Sequence, residues 1–335
     1  KILFLITLII GTVIRISSSS WFRIWIGLEI NLLSFITLSI KTNNLFSSEA
    51  TLKYFLIQAL ASNILLFSII FYFFLIEKSL NFKWQFFINL IFSSTLILKR
   101  GIAPFHFWFP NVIEGLSWIN NFILITWQKI APLIILSFCL NYYLFLFAIV
   151  LSSFIGSING LNQTSLRKII AYSSINHLGW IVARIINNEN IWKIYFIFYS
   201  FLSFSIIIIL KNLKIFNLNQ IFSLSMKNKL IKLLIALPLL SLGGLPPFLG
   251  FFPKWIIIEL LIFSKLYWLI FILVNFSLIT LYFYIRICYS AFILNFNKIN
   301  FNVRTFFLNK NKKIIFLLNF ISLFGLIFIN TFFFI

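Results

Sequence analysis

The sequence predicts an all-α polytopic membrane protein, and three observations carry that expectation. Hydrophobic residues make up 61% of the chain and charged ones only 10%, with a mean hydropathy of +1.05. A soluble domain is nearer ~45–50% apolar and ~25% charged. Apolar runs of helical length also follow one another with only short connectors between them.

A crossing needs about 20 residues. On that measure about eleven spans can be drawn, roughly 1–16, 20–40, 50–76, 84–110, 117–138, 142–158, 165–186, 190–211, 230–263, 265–294 and 313–334. The longer connectors, 211–229 and 295–312, are rich in Asn and Lys. Nothing divides the chain, so residues 1–335 read as a single transmembrane domain.

Two spans are interrupted. In the fourth, Leu98-Lys99-Arg100-Gly101-Ile102-Ala103-Pro104-Phe105-His106 puts two cations, a glycine and a proline inside apolar sequence. In the ninth, Gly243-Gly244-Leu245-Pro246-Pro247 precedes Lys254. Proline removes a backbone donor and glycine loosens the helix beside it. Discontinuous helices are therefore expected near 99–105 and 243–248. An offset of five spans is odd, so the two breaks would belong to two five-helix units inverted in the membrane. That pattern marks many secondary transporters.

The net charge of +21 would ordinarily suggest nucleic acid. Here most cations lie between spans, where the positive-inside rule accounts for them. Fifteen of the 27 fall on the N-terminal side, seven on the other, and five at membrane depth: Lys99, Arg100, Lys129, Lys254 and Arg286. The N-terminus is expected on the inner side and the C-terminus outside. Arg15 and Arg23 are assigned to the outer loop. Cys139 and Cys288 lie in apolar runs, and neither a disulfide scaffold nor a metal-ligand spacing is present.

The acidic residues are six Glu and no Asp. Glu29 lies about 14 Å into the second span at ~1.5 Å per residue, near the middle of a ~30 Å core. Glu49 reads as a first-turn capping residue. Glu77, Glu114 and Glu189 fall near span ends, and Glu259 follows Lys254. By the same rise Lys129 and His177 both sit about 18 Å deep. A lone membrane histidine often serves only as a structural hydrogen bonder, and His106 beside Pro104 is equally open to that reading. Three lysines at one depth, two of them at helix breaks, are harder to explain by packing.

Together Lys99, Lys129, His177 and Lys254 would form a polar row near the midplane. Glu29 is expected to face Lys99 directly or through one water. Burial disfavours a charged lysine and a nearby carboxylate favours it, so such a pair can take up and release a proton.

The motifs Gly27-Leu28-Glu29-Ile30-Asn31, Glu49-Ala50-Thr51-Leu52-Lys53-Tyr54-Phe55, Gly101-Ile102-Ala103-Pro104-Phe105-His106-Phe107-Trp108, Thr126-Trp127-Gln128-Lys129-Ile130-Ala131-Pro132, Gly160-Leu161-Asn162-Gln163-Thr164, Leu166-Arg167-Lys168-Ile169 and Leu242-Gly243-Gly244-Leu245-Pro246-Pro247 run the length of the chain. Together they resemble the antiporter-like membrane subunits of mitochondrial NADH:ubiquinone oxidoreductase, respiratory complex I. The resemblance implies two inverted five-helix units with broken helices, and eleven helices in all, as in animal members of the family. The resemblance puts the family's helix glutamate on Glu29, its broken-helix lysine on Lys99, its central lysine on Lys129 and its distal lysine on Lys254. The sequence departs from the family at Arg100, where an apolar residue is more usual, and at Glu114.

The resemblance implies proton translocation or charge relay in a multi-pass protein of the mitochondrial inner membrane, N-terminus in the matrix and C-terminus in the intermembrane space. The chain would act as part of an enzyme without redox chemistry of its own. NADH, FMN, iron–sulfur clusters and ubiquinone would belong to partner subunits, and this chain would bind none of them. Expected partners are other membrane-arm subunits (the neighbouring antiporter-like subunit 4 and the small subunit 4L), accessory subunits and membrane lipids, with no nucleic acid. The glycines make no dinucleotide fingerprint. Two rival classes stand beside this one. A free-standing cation/proton antiporter would work alone in vesicles, and a purely structural subunit would tolerate loss of every buried lysine.

Overall fold

The computed structural model describes residues 1–41, 43–77, 82–187, 191–222, 229–292 and 312–333. Among them the secondary structure is helical, apart from an isolated bridge between Ser165 and Asn217. Among the described residues six helical stretches are long and apolar enough to cross a membrane, with shorter apolar helices before, between and after them. The chain gathers into two compact units, 1–151 and 152–335.

The first unit begins with α1 (Ile2–Ser17) and α2 (Trp21–Ser39). They cross closely because Gly27 lies against the backbone of α1, where an added Cβ would come within 2.9 Å of the Gly11 carbonyl oxygen. Small residues let apolar helices approach in this way. The buried face of α1 is Leu8, Gly11, Thr12 and Arg15, a helical stripe at i, i+3, i+4 and i+7. Arg15 is thus not in an outer loop: it sits in the last turn of α1 at 3% exposure.

Next come α3 (Leu45–Glu77), α4 (Phe82–Arg100), α5 (Trp108–Gly115), α6 (Trp118–Ile125), α7 (Trp127–Leu136) and α8 (Tyr142–Leu161), and the division between the units falls within α8. Helix α3 starts several residues before the expected span. As a result Glu49 is in its second turn, and it pairs with Lys53 at 2.6 Å instead of capping the helix. The expected continuous span 117–138 is broken between α6 and α7. There the Thr126 hydroxyl donates to the Phe122 carbonyl at 2.7 Å, and the Lys129 amide bonds to Thr126 only three residues back. A hydroxyl bonded to its own preceding turn bends a helix.

The second unit holds α9 (Leu166–Ile185), α10 (Trp192–Leu213), α11 (Leu218–Phe222), α12 (Lys229–Gly243), α13 (Phe251–Phe263), α14 (Tyr267–Phe292) and α15 (Lys312–Phe333). Helix α9 is buried on all sides from Ser173 to Ile185, although it carries serines, Asn176 and His177. A helix enclosed all round lies at the centre of its unit. Glu189 and much of the 295–312 connector lie outside the described residues.

Many buried hydroxyls are satisfied inside their own helix, three residues back. Ser34, Ser68, Ser173, Ser174 and Ser205 donate to the carbonyls of Asn31, Leu65, Ile170, Ala171 and Leu202.

Candidate functional site

Both expected interruptions are present, between α4 and α5 and between α12 and α13. At the first, Gly101 takes φ +68°; its amide bonds to Leu98 at 3.1 Å and that of Ile102 to Ile97 at 3.2 Å. This is a Schellman termination, which calls for a left-handed residue and so for glycine. The indole Nε1 of Trp108, at the start of α5, adds a bond to the Leu98 carbonyl at 3.1 Å. The Gln58 amide nitrogen reaches across from α3 to the Lys99 carbonyl at 3.0 Å. The freed carbonyls of α4 thus find donors on two other helices.

The second break repeats the chemistry with different parts. Gly244 takes φ +81° and its amide bonds to Ser241 at 3.0 Å. Lys254, in the first turn of α13, donates its ammonium to the Gly243 carbonyl at 2.7 Å. A cation here complements the negative end of α12. Gly244 also makes room for this lysine, since an added Cβ would lie 2.9 Å from Nζ.

In the first unit, Lys99 and Lys129 line a common cavity with Arg15, Asn31, Gln58 and Arg100. Lys99 is 8% and Lys129 2% exposed. The Lys129 ammonium stands 4.5 Å from the centre of the Phe109 ring. Glu29 is half-buried and its Oε2 has no hydrogen-bond partner among the described residues. No nitrogen–oxygen approach within 4.0 Å joins Glu29 to Lys99. Of the two forms of contact expected from the sequence, direct or through one water, the direct ion pair is absent.

In the second unit, Lys254 lies 6.0 Å from the Trp180 ring, one helical turn along α9 from His177. The His177 Nδ1 is 2.8 Å from the Tyr195 hydroxyl, and its ring lies beside Tyr199 on the same helix, α10. His106 is buried beside its break, with Nδ1 3.2 Å from the Pro104 carbonyl oxygen. Arg286 donates to the Leu161 carbonyl at 3.2 Å, closing the end of α8. Glu114 and Glu259 are exposed.

Sequence reasoning missed Arg15, Gln58, Tyr195 and Tyr199. Only Arg15 carried a local signal, the stripe it shares with Leu8, Gly11 and Thr12. The tyrosines and Gln58 act across helices, and nothing nearby in sequence announces that.

The arrangement offers buried titratable groups beside backbone carbonyls freed by helix breaks, in each unit separately. Such groups can hold and pass a proton, and irregular backbone at this depth is tolerated only inside protein or along a wet cavity.

A family profile described as NADH:quinone oxidoreductase/Mrp antiporter, TM, matches residues 18–280. The chain is 54% identical over 329 residues to NADH-ubiquinone oxidoreductase chain 2 of Anopheles gambiae, covering 98% of this chain and 96% of that one. It is 44% identical over 335 residues to the chain of the same name from Locusta migratoria, covering 99% and 96%. Among solved structures, a chain of respiratory complex I from Thermus thermophilus matches with a TM-score of 0.80 at 22% identity, covering 96% of this chain and 78% of that one. A chain of the Mrp complex from Dietzia sp. matches with a TM-score of 0.75 at 16% identity, covering 86% and 60%. At those identities the two structures speak for the fold.

Proposed function

The chain belongs to the NADH:quinone oxidoreductase/Mrp antiporter membrane family, and from that premise we propose that it is a core membrane-arm subunit of NADH:ubiquinone oxidoreductase, in the place that chain 2 holds among its relatives. Residues 1–335 act as one antiporter-like domain in the mitochondrial inner membrane, N-terminus in the matrix and C-terminus in the intermembrane space. Electron transfer from NADH to ubiquinone takes place in other subunits, which carry FMN and the iron–sulfur clusters. This chain translocates protons or relays charge in response. Its neighbours are the antiporter-like subunit 4, the small subunit 4L and accessory subunits.

The observation that carries the reading is the pair of buried lysines at helix interruptions, Lys99 in the last turn of α4 and Lys254 held on the end of α12. With Lys129 and His177 they are the proton stations. Glu29 on α2 is the carboxylate assigned to tune Lys99, since a nearby carboxylate favours a charged lysine. An ammonium that leaves a backbone carbonyl as it deprotonates gives a simple structural readout of proton loss.

Replacing Lys129 or Lys254 by Met tests this, because Met fills the space without a titrating group. The complex is expected to assemble, and reduction of an artificial acceptor at the redox arm to continue. Proton pumping driven by NADH oxidation should fall several-fold. Full pumping with both lysines gone would overturn the proposal.

A further inference from the structure

We infer that the cavity bounded by α1, α4 and α7 holds one small monovalent anion of chloride size, bound chiefly by Arg100 and Arg15 with the ammonium groups of Lys99 and Lys129 beside it.

The cavity is lined by all four cations. Each is buried: Arg100 is 1% exposed, Lys129 2%, Arg15 3% and Lys99 8%. A lysine can relieve such crowding by giving up its proton, but a guanidinium does not. Arg15 has a neutral partner. With the Asn31 amide oriented to suit its surroundings, its oxygen accepts from Arg15 Nη2 at 2.7 Å and its nitrogen donates to the Leu8 carbonyl at 2.7 Å. Arg100 has no such help: Nε, Nη1 and Nη2 are all buried without a hydrogen-bond partner among the described residues.

Among the described residues no acidic side chain lines the cavity, and Glu29 forms no ion pair with Arg15, Lys99 or Arg100. An uncompensated charge so enclosed is expensive, and a counter-charge seated among the donors removes the cost. The cavity volume of about 20 Å³ admits one water-sized body. That favours a monatomic anion over phosphate or a lipid headgroup. The bound anion would keep both arginines in place while the lysines change protonation beside it, so this inference concerns a structural counter-ion and does not depend on the route of the protons.

The assembled complex, purified from its native membranes in bromide, tests the idea by anomalous diffraction. A bromide peak within hydrogen-bonding distance of the Arg100 guanidinium is expected. It should vanish when bromide is replaced by gluconate, while proton pumping in the two buffers reports separately on the functional reading above. The melting temperature of the complex should be higher in chloride than in gluconate, and Arg100→Met should abolish that difference. No bromide peak in the native complex, or a carboxylate of a neighbouring subunit filling the cavity, would overturn the inference. The diffraction measurement needs no variant, so a failure of Arg100→Met to assemble leaves the decision intact.

Discussion

The ammonium of Lys254 donates to the Gly243 carbonyl at 2.7 Å, so the first turn of α13 closes the end of α12. Trp108 does the same for Leu98 at the other break, with an indole in place of an ammonium. A neutral donor closes one break and a titratable donor the other. Only the second has a donor of a titratable type.

That difference gives the first prediction. Trp108→Phe removes one hydrogen bond while leaving an aromatic ring against Tyr54 and Phe109. The expected cost is about 1 kcal/mol of stability, read as a small fall in the melting temperature of the assembled complex with pumping retained. A large loss of pumping would assign Trp108 a part in transport.

The glycines at the second break should be unequal. Gly244→Ala introduces a side chain at φ +81°, costing about 1–2 kcal/mol, and drives its Cβ to 2.9 Å from Lys254 Nζ. Gly243→Ala meets nothing closer than 3.5 Å. Gly250→Ala is expected to be worst, because its Cβ would collide with the Ser241 backbone carbonyl. Complex yield and pumping in the three variants check the order.

Tyr195→Phe should leave assembly intact while removing the hydroxyl 2.8 Å from His177 Nδ1. If His177 is a proton station, the pH profile of pumping moves in this variant although total NADH oxidation with an artificial acceptor does not. An unchanged profile would return His177 to a packing role.

Glu49→Gln breaks the exposed pair with Lys53, whose side chains are 61% and 51% exposed respectively. Such i,i+4 pairs contribute only a few tenths of a kcal/mol after screening, so stability should be unchanged within error. A marked loss would point to a subunit contact at Glu49.

Both helix breaks were legible because glycine and proline are read locally, and the structure puts a left-handed glycine at each. Lys99, Lys129, His177 and Lys254 were legible as buried because the apolar runs around them are long. Arg15 was harder to read: a cation two residues from a helix end looks like a loop residue, and its one local signal was the stripe it shares with Leu8, Gly11 and Thr12. Thr126 was silent, since a threonine that bends a helix looks like one that does not. The contact of Gln58 with the Lys99 carbonyl spans 41 residues, a distance over which no local pattern operates. The absence of a direct Glu29–Lys99 ion pair belongs to the same class, because the sequence gives depth along each helix but not its rotation.

Many of the serines and threonines bond back into their own helices, so the polar ties between neighbours come from other side chains, such as Asn141 to Ser93 and Asn319 to the Leu234 carbonyl. Along the stretches between those ties the helices meet through apolar side chains, and a small shift of one along another exchanges dispersion contacts of similar worth. Shear of this kind is how packed helices move without unfolding, and it would let strain imposed at one end of a unit travel along its length as a small sliding displacement.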